Sequence, residues 1–455
     1  MLIHPIDNVV VNLETGHKHA RNDIKQGEHI IKYGYPIGYA TQDIKEGDWV
    51  HTHNVKTLLN SIEEYTYEPL SRDFKVEPSM TIMTYVRENG DIGIRNDIWI
   101  ISTVGCINRT IDRLAQKTGA KAITHPYGCS QLGGDLITTQ KILKGLVNHP
   151  NAGGVLVYGL GCENNTIESF QAMLGEYNPQ RVKFVMAQKS ENDFQESLER
   201  IEELKAYAAT FKRTPQPISK LRVGMKCGGS DGYSGISANP LLGRFSDRLI
   251  AQGGSSALTE VPEMFGAERI LMNRCINETV FYKTVNLINN FKLYFQRYNQ
   301  EIYENPSPGN KEGGITTLED KSLGCIQKGG QGPVVDVLDY GEPMTQHGLN
   351  LINGPGNDLV SITNLVAAGN HLILFTTGRG TPLGTVVPTI KVASNASLAQ
   401  RKKDWIDFDA SPTLEGQNID DDFFDYVVSV VNGKLTLNEI NGYEEIALFK
   451  DGVIL

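Results

Sequence analysis

The chain has 455 residues, 40% of them apolar and 21% charged, enough for two or three domain cores and too apolar for global disorder. Its net charge is −10 with no Lys/Arg block, which disfavours a nucleic-acid partner, because phosphate binding needs a basic face. No run of 18 apolar residues and no signal-peptide pattern in MLIHPIDNVVVNL occur, so no membrane span is expected; the six Cys hold no CxxC pair, which argues against a zinc ribbon, a chain this long does not need a disulfide framework, and a reducing cytoplasm fits best.

Residues 1–60 read as short strands: DNVVVNL, HIIKYG and DWVHTHNV, separated by Gly and Asp turns. ARNDIKQGEHI and ATQDIKEGDWV share the pattern D-I-K-x-G-(E/D), which predicts a pseudo-symmetric small β barrel or clip. Residues 61–80 lack periodicity and carry two Pro, as a linker does. From 81 to 211 strands alternate with amphipathic helices, which predicts an α/β domain with a largely parallel sheet. The stretch 212–220 reads as a second linker. Residues 221–455 repeat the α/β habit less regularly, with a long helix expected from about Ala267 to Gln300 and a long loop over YENPSPGNKEGGITTLEDKSLG.

Four strand-like runs end in a loop carrying Gly and Cys: IWIISTVGC at Cys106, KAITHPYGC at Cys129, GGVLVYGLGC at Cys162 and LRVGMKCGG at Cys227. Open α/β sheets bind ligands beyond the carboxyl ends of their strands, so these thiols point to one site for a soft metal or a cluster. A buried small apolar side chain is the competing reading for any one of them, and the better one for Cys275. GLGCENN lacks the third glycine of a dinucleotide fingerprint, and no phosphate-binding P-loop is present.

His125, four residues before Cys129, is a candidate base. His17 is a second, and His17 with His53 forms a rival metal site near the N-terminus. Arg379, between two glycines in TTGRGTPLG, Lys311 and Lys226 are candidate cations for an anionic substrate. Asp231 and Glu260 add carboxylates at the same rim, although helix capping is a strong alternative for Asp231.

Taken together, KYGYPIGYA, YGCSQLGGD, GLGCENN, CGGSDGYSGISANPLLGRFSD, LTEVPEMFGAE, ENPSPGNKEGGITTLEDKSLGC and FTTGRGTP resemble the altronate/galactarate dehydratase family over nearly the whole chain. The HTHN segment and ITTLEDKSLGC look closer to its altronate-acting members. The connection between VVVNL and GHKHA is shorter than such members can carry. The resemblance implies an N-terminal SAF-type β domain followed by two α/β domains. It implies a cytoplasmic hydro-lyase of hexuronate catabolism, converting D-altronate to 2-dehydro-3-deoxy-D-gluconate, with galactarate or another sugar acid as the alternative substrate and a non-catalytic sugar-acid binder as the alternative class. Its implied cofactor is Fe(II) or Mn(II), or an iron–sulfur cluster. Cys106, Cys129, Cys162 and Cys227 are the candidate ligands, His125, His17 and Lys226 the candidate catalytic groups, and Arg379, Lys311, Asp231 and Glu260 the candidate substrate contacts. A homo-oligomer is expected from the habits of soluble enzymes.

Overall fold

The computed structural model describes residues 1–70 and 74–455. The N-terminal unit holds two three-stranded antiparallel sheets, one of Val9–Val11, Lys18–Ala20 and Trp49–Val50, the other of His29–Lys32, Tyr35–Ala40 and Val55–Lys56. The repeated D-I-K-x-G turns meet across a local pseudo-dyad. Ile24 and Ile44 exchange backbone hydrogen bonds of 2.8 Å in both directions. Lys25 pairs with Asp43 at 3.1 Å and Lys45 with Asp23 at 2.8 Å. These ion pairs are exposed and contribute little stability, so they serve to fix the register of the two turns.

The chain then runs without helix or strand through the described part of the 61–80 segment; residues 71–73 of that expected linker lie outside the described residues. This stretch is nonetheless fastened to the C-terminal unit. The Tyr65 hydroxyl donates to Glu268 at 2.6 Å, the Tyr67 hydroxyl to the Cys275 carbonyl at 2.7 Å, and the Leu70 amide to the Asn273 carbonyl at 2.8 Å.

The second unit is a four-stranded parallel sheet of β1 (Asp97–Ser102), β2 (Lys121–Ile123), β3 (Ala152–Gly159) and β4 (Val182–Met186), in the order β2-β1-β3-β4. Its helices are α1 (Asn108–Thr118), α2 (Gly133–Asn148), α3 (Ile167–Leu174) and α4 (Asp193–Ala208). Every residue of β3 is buried, as a parallel strand covered on both faces requires. Residues 212–220, read from sequence as a linker, instead supply a strand, Arg213–Pro217, that pairs antiparallel with Thr81–Val86. Two prolines are tolerated there because that strand lies at the sheet edge.

The C-terminal unit carries a seven-stranded parallel sheet: β5 (Arg222–Cys227), β6 (Ser255–Leu258), β7 (Val334–Leu338), β8 (Leu349–Ile352), β9 (Leu372–Thr377), β10 (Thr389–Ala393) and β11 (Phe408–Asp409), in the order β7-β8-β6-β5-β9-β10-β11. Its helices include α5 (Ala238–Ala251), α6 (Glu278–Arg297), α7 (Leu318–Cys325) and α8 (Asp358–Ala367). The expected long helix from Ala267 is split into Glu268–Met272 and α6, because the Asn277 side chain caps the latter by accepting from the Val280 amide. The expected long loop contains a short helix, Pro308–Glu312, and α7, whose starts are capped by Ser307 and Thr317. Among the described residues, no helix is long and apolar enough to cross a membrane.

The two parallel sheets are joined by α2 lying on α8, with Ile142 and Leu146 packed in one cluster with Ile362, Leu365 and Val366. A Cβ at Gly145 would stand 2.3 Å from the Ala367 carbonyl oxygen, so this crossing needs glycine.

Candidate active site

The C-terminal sheet changes winding direction between β5 and β9, the place where open α/β sheets open a ligand crevice. Lys226, the penultimate residue of strand β5, is fully buried. Its ammonium bonds to Glu260, to Asp358 at 2.9 Å and to the Cys227 carbonyl at 2.9 Å. Glu260 follows β6 with a left-handed backbone, φ +67°, a cost for a non-glycine residue that tends to survive at functional sites. Lys328 reaches the other Glu260 oxygen at 2.8 Å. Lys321 pairs with Glu263 at 2.9 Å, and the Cys325 thiol donates to Glu263 at 3.1 Å. Cys227 Sγ lies 2.7 Å from Ser230 Oγ. Three lysines and two glutamates are thus buried together, with Asp358 as the partly open member at 35% side-chain exposure. Buried ions cost several kcal/mol each unless paired, so such a nest marks a candidate functional site.

The nest has uneven proton affinities. Burial and the neighbouring Glu263 charge push the Glu260 carboxyl up to about 7, against the pull of Lys226 and Lys328. Burial also opposes ionisation of Glu263, but Lys321, Lys226 and Lys328 outweigh it and leave that carboxyl well below its usual range. Burial disfavours the Lys226 cation, yet Glu260, Asp358 and Glu263 raise it well above an ordinary lysine. Lys226 is therefore a fixed cation and not a resting base.

The N-terminal unit closes over this region. Lys18 and Lys32 both reach Asp320 of α7, at 2.7 and 2.9 Å, with all three side chains buried. Gly16 wedges between Gly232 and Gly314; a Cβ on either would come within 2.4 Å of the Gly16 carbonyl oxygen. Lys32 and Tyr33 share a small cavity with Ser230, Asn239, Lys321 and Cys325. The mouth carries an aromatic cluster. Trp49 stacks on His51 at 5.1 Å between ring centroids and donates its indole N–H to His17 Nδ1 at 3.2 Å. Arg379, after β9, pairs with Glu312 at 2.8 Å, and both are exposed. Lys311 is half-buried beside it.

A second constellation lies in the second unit. Cys106, Cys129 and Cys162 follow β1, β2 and β3, three adjacent strands, and all three are exposed. Their loops are knitted together. The Gly105 amide donates to the Tyr127 carbonyl and the Asn165 amide to the Gly128 carbonyl, both at 2.9 Å. The Ser130 amide donates to Asn164 Oδ1 at 2.7 Å, and the Thr103 hydroxyl to Glu163 at 2.6 Å.

Several sequence expectations are corrected. Cys227 does not join the other three thiols; it is buried at the end of β5 in the other sheet. His125 is fully enclosed, with Nε2 bonded to the Ser102 carbonyl at 2.9 Å and Nδ1 accepting the Tyr127 amide at 3.2 Å, and burial lowers it to about 4. Neither ring nitrogen is free for proton transfer. His17 and His53 do not pair: Trp49 has His53 at 5.0 Å, whereas the histidine facing His17 is His51, at 5.5 Å between centroids. Asp231 is not open to a substrate. Its carboxylate accepts from Tyr233 and Ser234 amides and from the Ser234, Ser394 and Asn395 side chains. Among the described residues, no three His, Cys, Asp or Glu side chains surround a single-ion position. Lys226, Glu260, Arg379 and Lys311 lie at the crevice or its mouth. Sequence reading missed Glu263, Lys321, Lys328 and Asp358; the signal available was the density of charge in EDKSLGCIQK, which reads as a solvated helix face.

Three family descriptions match in tandem: Altronate/galactarate dehydratase SAF domain over residues 3–58, D-galactarate dehydratase/Altronate hydrolase, second domain over 84–209, and D-galactarate/Altronate dehydratase, C-terminal over 218–454. The chain is 50% identical to an altronate dehydratase of Escherichia coli (strain K12), covering 99% of this chain and 95% of that one. It is also 50% identical to an altronate dehydratase of Bacillus subtilis (strain 168), covering 98% and 93%. Identity to a galactarate dehydratase (L-threo-forming) of Escherichia coli (strain K12) is 30%, covering 94% and 87%.

Proposed function

The chain belongs to the altronate/galactarate dehydratase family, and we propose that it is a hydro-lyase that removes water from D-altronate to give 2-dehydro-3-deoxy-D-gluconate. The observation that carries this is 50% identity over nearly the full length of two altronate dehydratases, against 30% to the galactarate enzyme.

The chemistry asks for two things. The C2 proton beside a carboxylate is weakly acidic, so the enediolate needs electrostatic stabilisation. Lys226, Lys321 and Lys328 supply buried positive charge for it. A base working near neutrality must then take that proton; Glu260, pushed up to about 7 but held through both oxygens by Lys226 and Lys328, would do so once the substrate takes the place of one lysine contact. The C3–O bond breaks as the C2 proton leaves, the hydroxyl departs as water with a proton from the hydrogen-bonded nest, and the enol ketonises. Arg379 and Lys311 meet the carboxylate at the mouth. Bound iron would supply a Lewis acid for the carboxylate and hydroxyl oxygens.

Three exposed thiols suit a reducing cytoplasm, and a homo-oligomer follows the habit of soluble enzymes. The test is turnover by anaerobically prepared, Fe(II)-supplemented protein offered D-altronate, galactarate, D-mannonate and D-gluconate separately. Product from D-altronate supports the reading. Product from galactarate alone replaces the substrate, and tight binding of D-altronate without product replaces catalysis with a binding role.

A further inference from the structure

We propose that the seam between the two parallel sheets is a second ligand site, separate from the lysine–glutamate crevice, and that it takes a small organic dianion with carboxylate or phosphate ends.

A cavity of about 690 Å³ opens where the second unit meets the C-terminal one. Its size is that of a small-molecule site, and such sites favour the seams between domains. One side is α2, from Lys141 to Asn148; another is the end of α8, at Ala367–Gly369. None of the buried lysines and glutamates of the crevice lines it.

The charge of the wall is what points to a ligand. The chain carries −10 overall, yet Arg87, Lys141, Lys144, Arg181 and Arg222 all line this cavity. Arg222 is neutralised by Asp91 at 2.7 Å. Of the other carboxylates, Glu88 accepts from the Tyr207 hydroxyl at 2.9 Å and from Asn178, and Glu342 accepts from the Asp339 amide at 2.9 Å, while Glu176 is exposed. Arg87 and Arg181 form no ion pair among the described residues. Arg87 donates to the Pro150 and Arg95 carbonyls and to Asn96, and Arg181 to the Val147, His149 and Ala152 carbonyls. Carbonyls satisfy N–H groups without cancelling the charge. Burial and the nearby Arg181 charge push Arg87 down to about 10, and burial does the same to Arg181. Two neighbouring buried cations left without a counter-charge are costly, and an anion in the cavity would relieve that cost.

The arrangement also gives the ligand its class. Arg87 engages three of its five N–H groups and Arg181 four, so donors remain for a carboxylate or phosphate. Lys141 and Lys144 are three apart on α2 and share a face. Lys144 meets only the Met173 carbonyl, at 2.9 Å, and Lys141 has no hydrogen-bond or ion-pair partner among the described residues. An arginine pair and a lysine pair suit two anionic ends. Met173, Tyr177 and Met344 supply apolar wall for the short carbon chain that joins them. An occupant touches both units at once, so binding to the folded chain raises its melting temperature.

Fructose 1,6-bisphosphate and glutarate, titrated calorimetrically into the full chain, test the phosphate and carboxylate forms of the ligand. Expected is saturable binding of at least one, at one site per chain, with a rise in melting temperature. Affinity should fall about tenfold or more in a Lys141→Ala, Lys144→Ala double variant, the loss of two charge-assisted contacts. It should stay at the wild-type value in Arg379→Ala, which alters the mouth of the crevice. Lys141→Ala alone removes a side chain that holds nothing in the protein, so its weaker binding carries the test if the double variant proves unstable. Without probe, Lys141→Ala should turn over D-altronate as the wild type does. No saturable binding of either probe below about 10 mM, a Kd corresponding to less than about 3 kcal/mol, would overturn the proposal. So would unchanged affinity in both lysine variants, or loss of binding in Arg379→Ala, which would place the probe in the crevice.

Discussion

Lys18 of the N-terminal unit and Asp320 of α7 meet at 2.7 Å with both side chains out of solvent, although 302 residues separate them. Lys32 completes the triad at 2.9 Å. Removing one member of such a group leaves a buried charge unpaired.

Asp320→Asn therefore destabilises the seating of the N-terminal unit by about 3–5 kcal/mol, read by denaturant unfolding. Burial opposes ionisation of Asp320, but Lys18 and Lys32 outweigh it and hold the carboxyl below its ordinary 3.8. The unfolded chain thus binds more protons than the native one in acid. The contribution is full above pH 3.8 and is lost as pH falls towards the native value. Acid unfolding of the Asn variant should be correspondingly less steep; an unchanged acid limb would remove Asp320 from the account.

Glu260→Gln tests the proposed base. Its kcat should fall by about 10²–10⁴-fold, the usual worth of a positioned proton acceptor. Wild-type kcat/KM should rise with pH through about 7, where Glu260 gives up its proton, and the variant should lose that limb. A variant with wild-type pH dependence would move the base elsewhere.

For His125 the expected effect is on stability. His125→Phe strands the Ser102 carbonyl and the Tyr127 amide, at about 1–3 kcal/mol for each group left unsatisfied. Burial lowers the imidazole from 6.5 to about 4, so the unfolded chain binds more protons in that interval and stability rises with pH across it. The Phe variant should lack that rise in thermal melts between pH 4 and 6.5, while any residual activity keeps the wild-type pH profile.

Arg379→Ala should raise KM roughly tenfold, from about 1.5 kcal/mol of charge-assisted hydrogen bonding to the substrate carboxylate. Thermal stability should barely move, because the exposed pair with Glu312 is worth no more than about 1 kcal/mol. A large drop in melting temperature with unchanged KM would make Arg379 a structural residue.

The parts legible in the sequence were those set by neighbouring residues. The two D-I-K-x-G turns announced the pseudo-dyad because each Asp caps the turn of the other copy, Gln26 bonding to Asp43 and Glu46 to Asp23. The Gly-Cys strand ends likewise marked the rim of the second sheet. What escaped was set by distance along the chain. Lys321 and Lys328 look like solvated helix charges until Glu263 and Glu260 are folded onto them. His125 looks like a free base until the Ser102 carbonyl meets it from the neighbouring strand. Cys227 shares its strand-end setting with the other thiols but belongs to another sheet.

The plain stretch from Tyr65 to Leu70, fastened along the C-terminal unit, gives the docking of the N-terminal unit a kinetic character of its own. The clip and the unit it covers belong to one chain, so their docking as the chain folds is a first-order event governed by the local concentration the leash imposes. Dilution leaves that docking rate unchanged. Cutting the leash within 61–70 would convert it into a second-order encounter, and activity would then fall with the square of protein concentration once the two pieces no longer saturate each other.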